Sequence, residues 1–210
     1  MASWSASPLP ELVIEFNESE MAALFEKFKG YPGAIQAAIL EASERARRQL
    51  RNELAREFKK QVTLKPAYIG RGIKSKKAQI TGDGAQAEVK VATKQMPLAN
   101  YGVKLSAPSG RIRKVEYKLR YSGKTYGDLP KNAIAPPGAR LFIARMKSGH
   151  VGAYFRMGKK RLPIAQEYAP SLQYHAYIEG FLPHMEDFAQ TRFKAAFLEE
   201  ASKITGVNRS

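Results

Sequence analysis

Asp83, followed by Glu88-Val89-Lys90, carries the side chains of a metal-dependent nuclease. In such sites two carboxylates hold Mg²⁺ while a lysine stabilises the attacking water or the charged phosphate. The same residues have a plainer reading. Asp83 lies in Gly82-Asp83-Gly84, a turn in which Asp recurs for local hydrogen-bonding reasons, and Glu-x-Lys recurs at Glu116-Tyr117-Lys118, as on any polar strand face. The three histidines, His150, His175 and His184, show no metal-ligand spacing, and the absence of cysteine rules out thiolate ligands and disulfides. Gly-x-Ser-x-Gly, a phosphate loop ending in Gly-Lys-Ser/Thr and His-Glu-x-x-His are all missing. The expectation is a protein that is not an enzyme, with no catalytic or metal residues and no cofactor.

Cations interleaved with aromatics form the stronger pattern. Tyr117, Tyr121 and Tyr126 lie among Arg111, Arg113, Lys114, Lys118, Arg120 and Lys124. No zinc-finger, helix-turn-helix or RNA-recognition signature accompanies them. The chemistry they offer is contact with the phosphates of double-stranded DNA, without base readout. A solvated basic loop and strand would contain the same residues.

The charge distribution sharpens this. The net charge is +16, and residues 101–161 alone hold fifteen Lys or Arg against Glu116 and Asp128. Residues 1–30 have two Lys against five Glu, and residues 162–210 four cations against six acids. A field of one sign costs stability through self-repulsion, so its concentration in mid-chain points to a polyanion. A membrane is not expected as a partner: no segment joins the charge to a strong apolar face, and no run approaches the roughly 18 apolar residues of a span. The start, "MASWSASPLPELVIEF", has neither the basic region nor the apolar run of a secretory signal. The expectation is a soluble protein synthesised in the cytoplasm.

Periodicity supplies the elements that must position these groups. Residues 1–17 look like an extended arm broken by Pro8 and Pro10, with "LVIEF" able to add a strand or dock on a neighbour, and "NESEMAALFEKFKG" suggests a short helix. From Pro32 to about Val62, Ile35, Ile39, Ala42, Ala46, Leu50, Leu54 and Phe58 recur at helical steps and make one apolar stripe. The other face carries seven cations, Arg45, Arg47, Arg48, Arg51, Arg56, Lys59 and Lys60, which suit either solvent or a cationic groove. A short irregular helix is expected over "LKPAYIGRGIKSKKA", then a hairpin over "QITGDGAQAEVKVAT". Residues 104–114 suggest a flexible basic loop, and Arg113 to Tyr121 alternate as a half-exposed strand with Glu116, Lys118 and Arg120 outward. "ARLFIARM" and "HVGAYFRM" are apolar segments joined by a Lys147-Ser148-Gly149 turn, and Ile178, Phe181, Leu182, Met185, Phe188, Ala189, Ala196 and Phe197 restore helical spacing. Pro183 must sit in the first turn of that helix or kink it. The order predicts a single α+β domain over 1–210: a mostly antiparallel sheet packed by a long N-terminal helix and a C-terminal helix.

One basic stretch, "FRMGKKRLPI", sets four cations beside Leu-Pro-Ile. It lies within "ARLFIARMKSGHVGAYFRMGKKRLPIAQEYAPS", which resembles the C-terminal signature of the minor tail protein Z family of long-tailed bacteriophages. The matching parts are Phe142-Ile143-Ala144, Gly149-His150-x-Gly152, Phe155-Arg156, Arg161-Leu162-Pro163-Ile164 and Ala169-Pro170-Ser171. The long helix and "MPLANYGV" fall in the family's order, so the resemblance spans about residues 30–175. It departs at Ala169, where the family tends to have Gly, and in the long stretch 104–114. The resemblance implies a structural virion protein made in the host cytoplasm. Its place would be a tail-completion ring at the head-proximal end of the tail, typically six-fold, between tail terminator or tube protein and the neck connector proteins. In that setting Lys104, Arg111, Arg113, Lys114, Lys118 and Arg120 are channel candidates for sequence-independent DNA contact. Phe155, Arg156, Arg161, Leu162, Pro163 and Ile164 are subunit-interface candidates, with Pro163 removing a donor from the edge. A free sequence-nonspecific nucleic-acid-binding protein and a metal-dependent nuclease are the alternatives.

Overall fold

The computed structural model describes residues 13–15, 26, 30–81, 84–106, 114–122, 126–127, 140–149, 151–177 and 180–206. It has the expected α+β class: helices with antiparallel sheets. Helix α1 (Pro32–Gln61) is followed by the short α2 (Pro66–Gly72), and α3 (Leu172–Ala176) precedes α4 (Phe181–Thr205). No helix among the described residues is long and apolar enough to cross a membrane. The chain divides into two compact units, one drawing on 57–72 and 93–175, the other on 10–56, 73–92 and 176–210. Helix α1 contributes to both, running unbroken from Pro32 to Gln61.

In the unit containing both chain-end helices, the predicted α1 stripe is the core face. Ala38, Ile39, Ala42 and Ala46 pack with Phe193, Ala196, Phe197 and Ala201 of α4 and with Ala85. Alanine at so many of these positions lets the backbones approach closely. The Phe193 and Phe197 rings stack, with centroids 6.2 Å apart. Arg45 reaches Glu199 at 3.2 Å and Glu200 at 2.8 Å, and Lys203 pairs with the same two acids. Pro183 falls in the first turn of α4, where its missing N–H costs nothing.

The sheet of this unit has strand order β1-β3-β2, with β1 (Val13–Glu15), β2 (Ile73–Thr81) and β3 (Gly84–Val91). The middle of "LVIEF", Val13–Glu15, therefore does add a strand, pairing Val13 with Glu88 and Glu15 with Gln86. Ala85, Ala87, Val89 and Val91 form the buried face of the central strand. The hairpin is longer than expected. Its first strand starts at Ile73, so Lys74, Lys76 and Lys77 are strand residues where irregular helix was predicted. β2 is an edge strand, and exposed lysines suit an edge because they resist pairing with another chain. Glu44 of α1 accepts from the Ala78 N–H at 3.2 Å and from Arg47, and the Arg47 hydrogen bond holds its carboxyl down to about 2.

The other unit packs Phe58 near the end of α1, Val62 just after it, Ile69 of α2 and three small sheets. One sheet is β5 (Gly102–Ser106), β6 (Lys114–Lys118) and β7 (Tyr126–Gly127); another pairs β4 (Met96–Pro97) with β11 (Tyr168–Ala169). The third has order β10-β9-β8, with β8 (Phe142–Arg145), β9 (Val151–Arg156) and β10 (Ile164–Gln166). Residues 104–106 and Lys114 are strand, not loop; of the predicted loop 104–114 only 107–113 remains, outside the described residues. β6 stops at Lys118, and the chain then bends, so the alternation does not extend to Tyr121. The predicted helix at "NESEMAALFEKFKG" lies almost wholly outside the described residues, and α3 was not expected.

Candidate nucleic-acid interface

The six channel candidates are not equivalent. Arg111 and Arg113 lie outside the described residues. Lys104 and Lys114 are placed by register alone: Lys104 is opposite Glu116, and Lys114 is opposite Ser106. Lys118 is half-buried, and its carbonyl accepts from the Thr63 hydroxyl. Thr63 in turn accepts from the Gly102 N–H at 3.1 Å, and its own N–H bonds to Leu119 O at 3.1 Å. These bonds fasten the end of β6 to the segment after α1.

Arg120 is held inward by the same attachment. It forms an isolated bridge with Val62, and its guanidinium donates to the Gln61 side chain at 3.3 Å. Its Nε is buried without a hydrogen-bond partner. The predicted outward strand face thus ends in a side chain tied to the helix terminus.

Close to Arg120's charge sits a buried polar group that sequence inspection missed. His175 of α3 is 2 % exposed and lies 3.4 Å from the Tyr101 hydroxyl, which donates to Pro170 O at 2.8 Å. Burial, then the Arg120 charge, pushes His175 down to about 4, and burial alone raises Tyr101. Glu167 is also buried, with its N–H on Ala153 O at 2.8 Å and its carbonyl accepting from Leu98 N–H at 3.1 Å. Burial lifts its carboxyl to about 7, partly offset by the Tyr168 N–H. Tyr101 and His175 are 74 residues apart, so no local spacing could have announced them. His184 is exposed on α4, and His150 lies outside the described residues.

The nuclease-like fragment has a different arrangement. Glu88 is opposite Lys76 and pairs with it at 3.1 Å and with Lys90 at 2.6 Å. Asp83 lies outside the described residues. Among the described residues no three His, Asp or Glu side chains gather as a metal set.

The C-terminal block is where exposed charge accumulates. From Arg140 to Gln166 the chain has seven cations and no acid. Arg140, Arg145, Lys147, Arg156, Lys159, Lys160 and Arg161 are all exposed, and none forms an ion pair among the described residues. On α1, by contrast, Arg45, Arg47, Arg48, Arg56 and Lys60 each face a glutamate, leaving Arg51 and Lys59. The cationic face of that helix is largely self-neutralised.

The β8-β9-β10 hairpins are also well tied. The Gly149 N–H closes the first turn on Met146 O at 2.9 Å. In the second, Met157 N–H bonds to Pro163 O at 3.1 Å and the Arg156 guanidinium donates to Arg161 O at 2.7 Å while lying over Phe142. Of the interface candidates, Phe155 is buried and Ile164 half-buried, whereas Arg156, Arg161, Leu162 and Pro163 are exposed. Leu162 is 66 % exposed, the most of any large apolar residue described, and Met157 of the same loop is 46 % exposed. Pro163 precedes edge strand β10, a position that needs no ladder donor. Compared with known proteins, the chain matches no family model, no curated protein and no solved structure.

Proposed function

We propose that this chain is a structural virion protein of a long-tailed phage, a tail-completion subunit. It joins a homo-oligomeric, six-fold ring between the tail tube or terminator and the neck connector, and surrounds the genome end. The reading starts from the resemblance to minor tail protein Z. One observation carries it further: the block bearing that resemblance forms a tied hairpin that holds Leu162 and Met157 out beside cations with no acid partner among the described residues. An exposed apolar side chain in a tied loop suits an assembly contact, and unpaired cations suit a nearby polyanion.

The free chain is monomeric in this reading, since a heterologous ring surface that assembled in the cytoplasm would risk open filaments. The test is mass spectrometry and immunogold labelling of purified virions. The chain should be a stoichiometric component labelled at the head-proximal end of the tail. Its absence from virions would overturn the assignment and favour a free sequence-nonspecific nucleic-acid-binding protein.

A further inference from the structure

We infer that the two ends of the β8-β9-β10 sheet, Arg145 and Lys147 at one and Lys159 and Lys160 at the other, form a phosphate-binding surface for duplex DNA. The inference deepens the tail reading by moving the DNA contact away from residues 104–120 and onto the basic hairpins.

Four features support it. The cations have no acid partner among the described residues, so no described carboxylate offsets their mutual repulsion. The turns that carry them are closed by hydrogen bonds, so an anion meets a largely pre-ordered surface. β9 separates the two groups: Arg145 is opposite Val151 at its start, and Arg156 ends it. Five strand steps at about 3.3 Å put those ends roughly 17 Å apart, a span over which duplex DNA presents about ten phosphate charges. Both ends can therefore engage one duplex together.

The fourth feature selects duplex over single strand. Binding a single strand relies on exposed aromatic platforms for base stacking. Here Tyr154 and Phe155 are buried, and Phe142 lies beneath the Arg156 guanidinium. With no base-reading motif in the sequence, affinity should not depend on sequence. Leu162 and Pro163 stay available for a neighbouring subunit.

The experiment measures binding of the full chain to a 20-base-pair duplex of arbitrary sequence by fluorescence anisotropy across a NaCl series. Lys147→Ser/Lys159→Ser/Lys160→Ser should weaken binding at least about tenfold near 0.1 M salt and make the log–log salt slope shallower by roughly 2.7, at about 0.9 per phosphate contact. Arg51→Ser/Lys59→Ser, on α1, should change neither. Lysine acetylation of the unaltered chain gives a second measurement that needs no variant. Duplex should protect Lys147, Lys159 and Lys160 but not Lys59.

Unchanged binding and no protection would overturn the inference. So would loss of binding confined to a Lys104/Arg111/Arg113/Lys114 variant, or equal affinity for polyglutamate, which would mark an acidic-protein dock. These outcomes are separate from the virion test. A tail component whose hairpins ignore DNA refutes only the inference, and hairpins that bind DNA in a protein missing from virions refute only the tail assignment.

Discussion

At Gly152 and Gly149 the same change should act through opposite causes. A Cβ on Gly152 would lie 2.8 Å from ring atoms of Tyr154, itself 5 % exposed, so the ring must move within a packed environment. Gly152→Ala should cost about 1–3 kcal/mol, more than the entropy gained by removing a strand glycine. Gly149 has open space around it but φ of 82°, so Gly149→Ala should cost about 1 kcal/mol from backbone strain alone. Chemical denaturation of both variants checks the order; a Gly152→Ala chain as stable as the parent would mean that Tyr154 yields freely. The buried pair Glu167 and His175 makes a pH prediction. Glu167, raised from 4.5 to about 7, keeps its proton in the folded chain when the unfolded chain has lost it, so stability declines as pH rises through that window. His175, lowered from 6.5 to about 4, refuses a proton that the unfolded chain takes, so stability declines as pH falls through its window. Each is worth about 3 kcal/mol at full extent, and the opposed slopes leave little net dependence between pH 4 and 7. Glu167→Gln removes one slope. The variant should gain up to about 3 kcal/mol at pH 7 and almost nothing at pH 4. Thermal melts at the two pH values decide this, and an equal gain at both would show that the carboxyl's ionisation is not the cause.

Elements with a strong period were legible, and those set by distant neighbours were not. The stripe from Ile35 to Phe58 gave α1 nearly to the residue because its apolar side chains repeat through more than six turns. Phe58→Ala should cost about 3–5 kcal/mol by leaving a cavity, while Lys59→Ala, one residue on and exposed, should stay within about 0.5 kcal/mol. A loss at Lys59 comparable to that at Phe58 would mean the stripe had been misassigned. The β8-β9 hairpin and its Gly149 turn were equally visible. The start of β2 was hidden, because Lys74, Lys76 and Lys77 look irregular until β3 is seen to make them an edge. Arg120 was assigned outward by alternation, but β6 ends two residues earlier and Gln61 and Val62 capture its backbone and guanidinium. The basic hairpin was visible as charge in "FRMGKKRLPI". That its cations lack acid partners among the described residues, while five of the seven on α1 have them, required the packed structure. Glu167 and the Tyr101–His175 contact had no local signature at all.

For the whole molecule, the net charge of +16 sets ion pairing against repulsion, and added salt shows which dominates. Salt screens both. Most described ion pairs set a cation against a half-buried glutamate on a helix surface, as in Arg56–Glu53, while a fully exposed pair such as Arg48–Glu41 contributes about 0–1 kcal/mol. The repulsive set is larger, with fifteen cations against two acids between residues 101 and 161. At about 0.01 M salt the screening length is roughly 30 Å, so the seven cations of 140–161, which lack acid partners among the described residues, all interact; at about 0.15 M it falls to roughly 8 Å. Raising NaCl across that range should therefore raise Tm, opposite to a fold held mainly by surface ion pairs. The Lys147→Ser/Lys159→Ser/Lys160→Ser chain should begin at a higher Tm in low salt and gain less as salt is added. Arg51→Ser/Lys59→Ser removes two charges rather than three, from a helix whose neighbouring cations already face glutamates, and should flatten the curve less per charge removed. Thermal melts of the three chains at these two NaCl concentrations provide the comparison. A parent Tm that falls with salt would show ion pairs to dominate, and equal flattening per charge by both variants would show the repulsion to be spread over the molecule rather than concentrated in the hairpins.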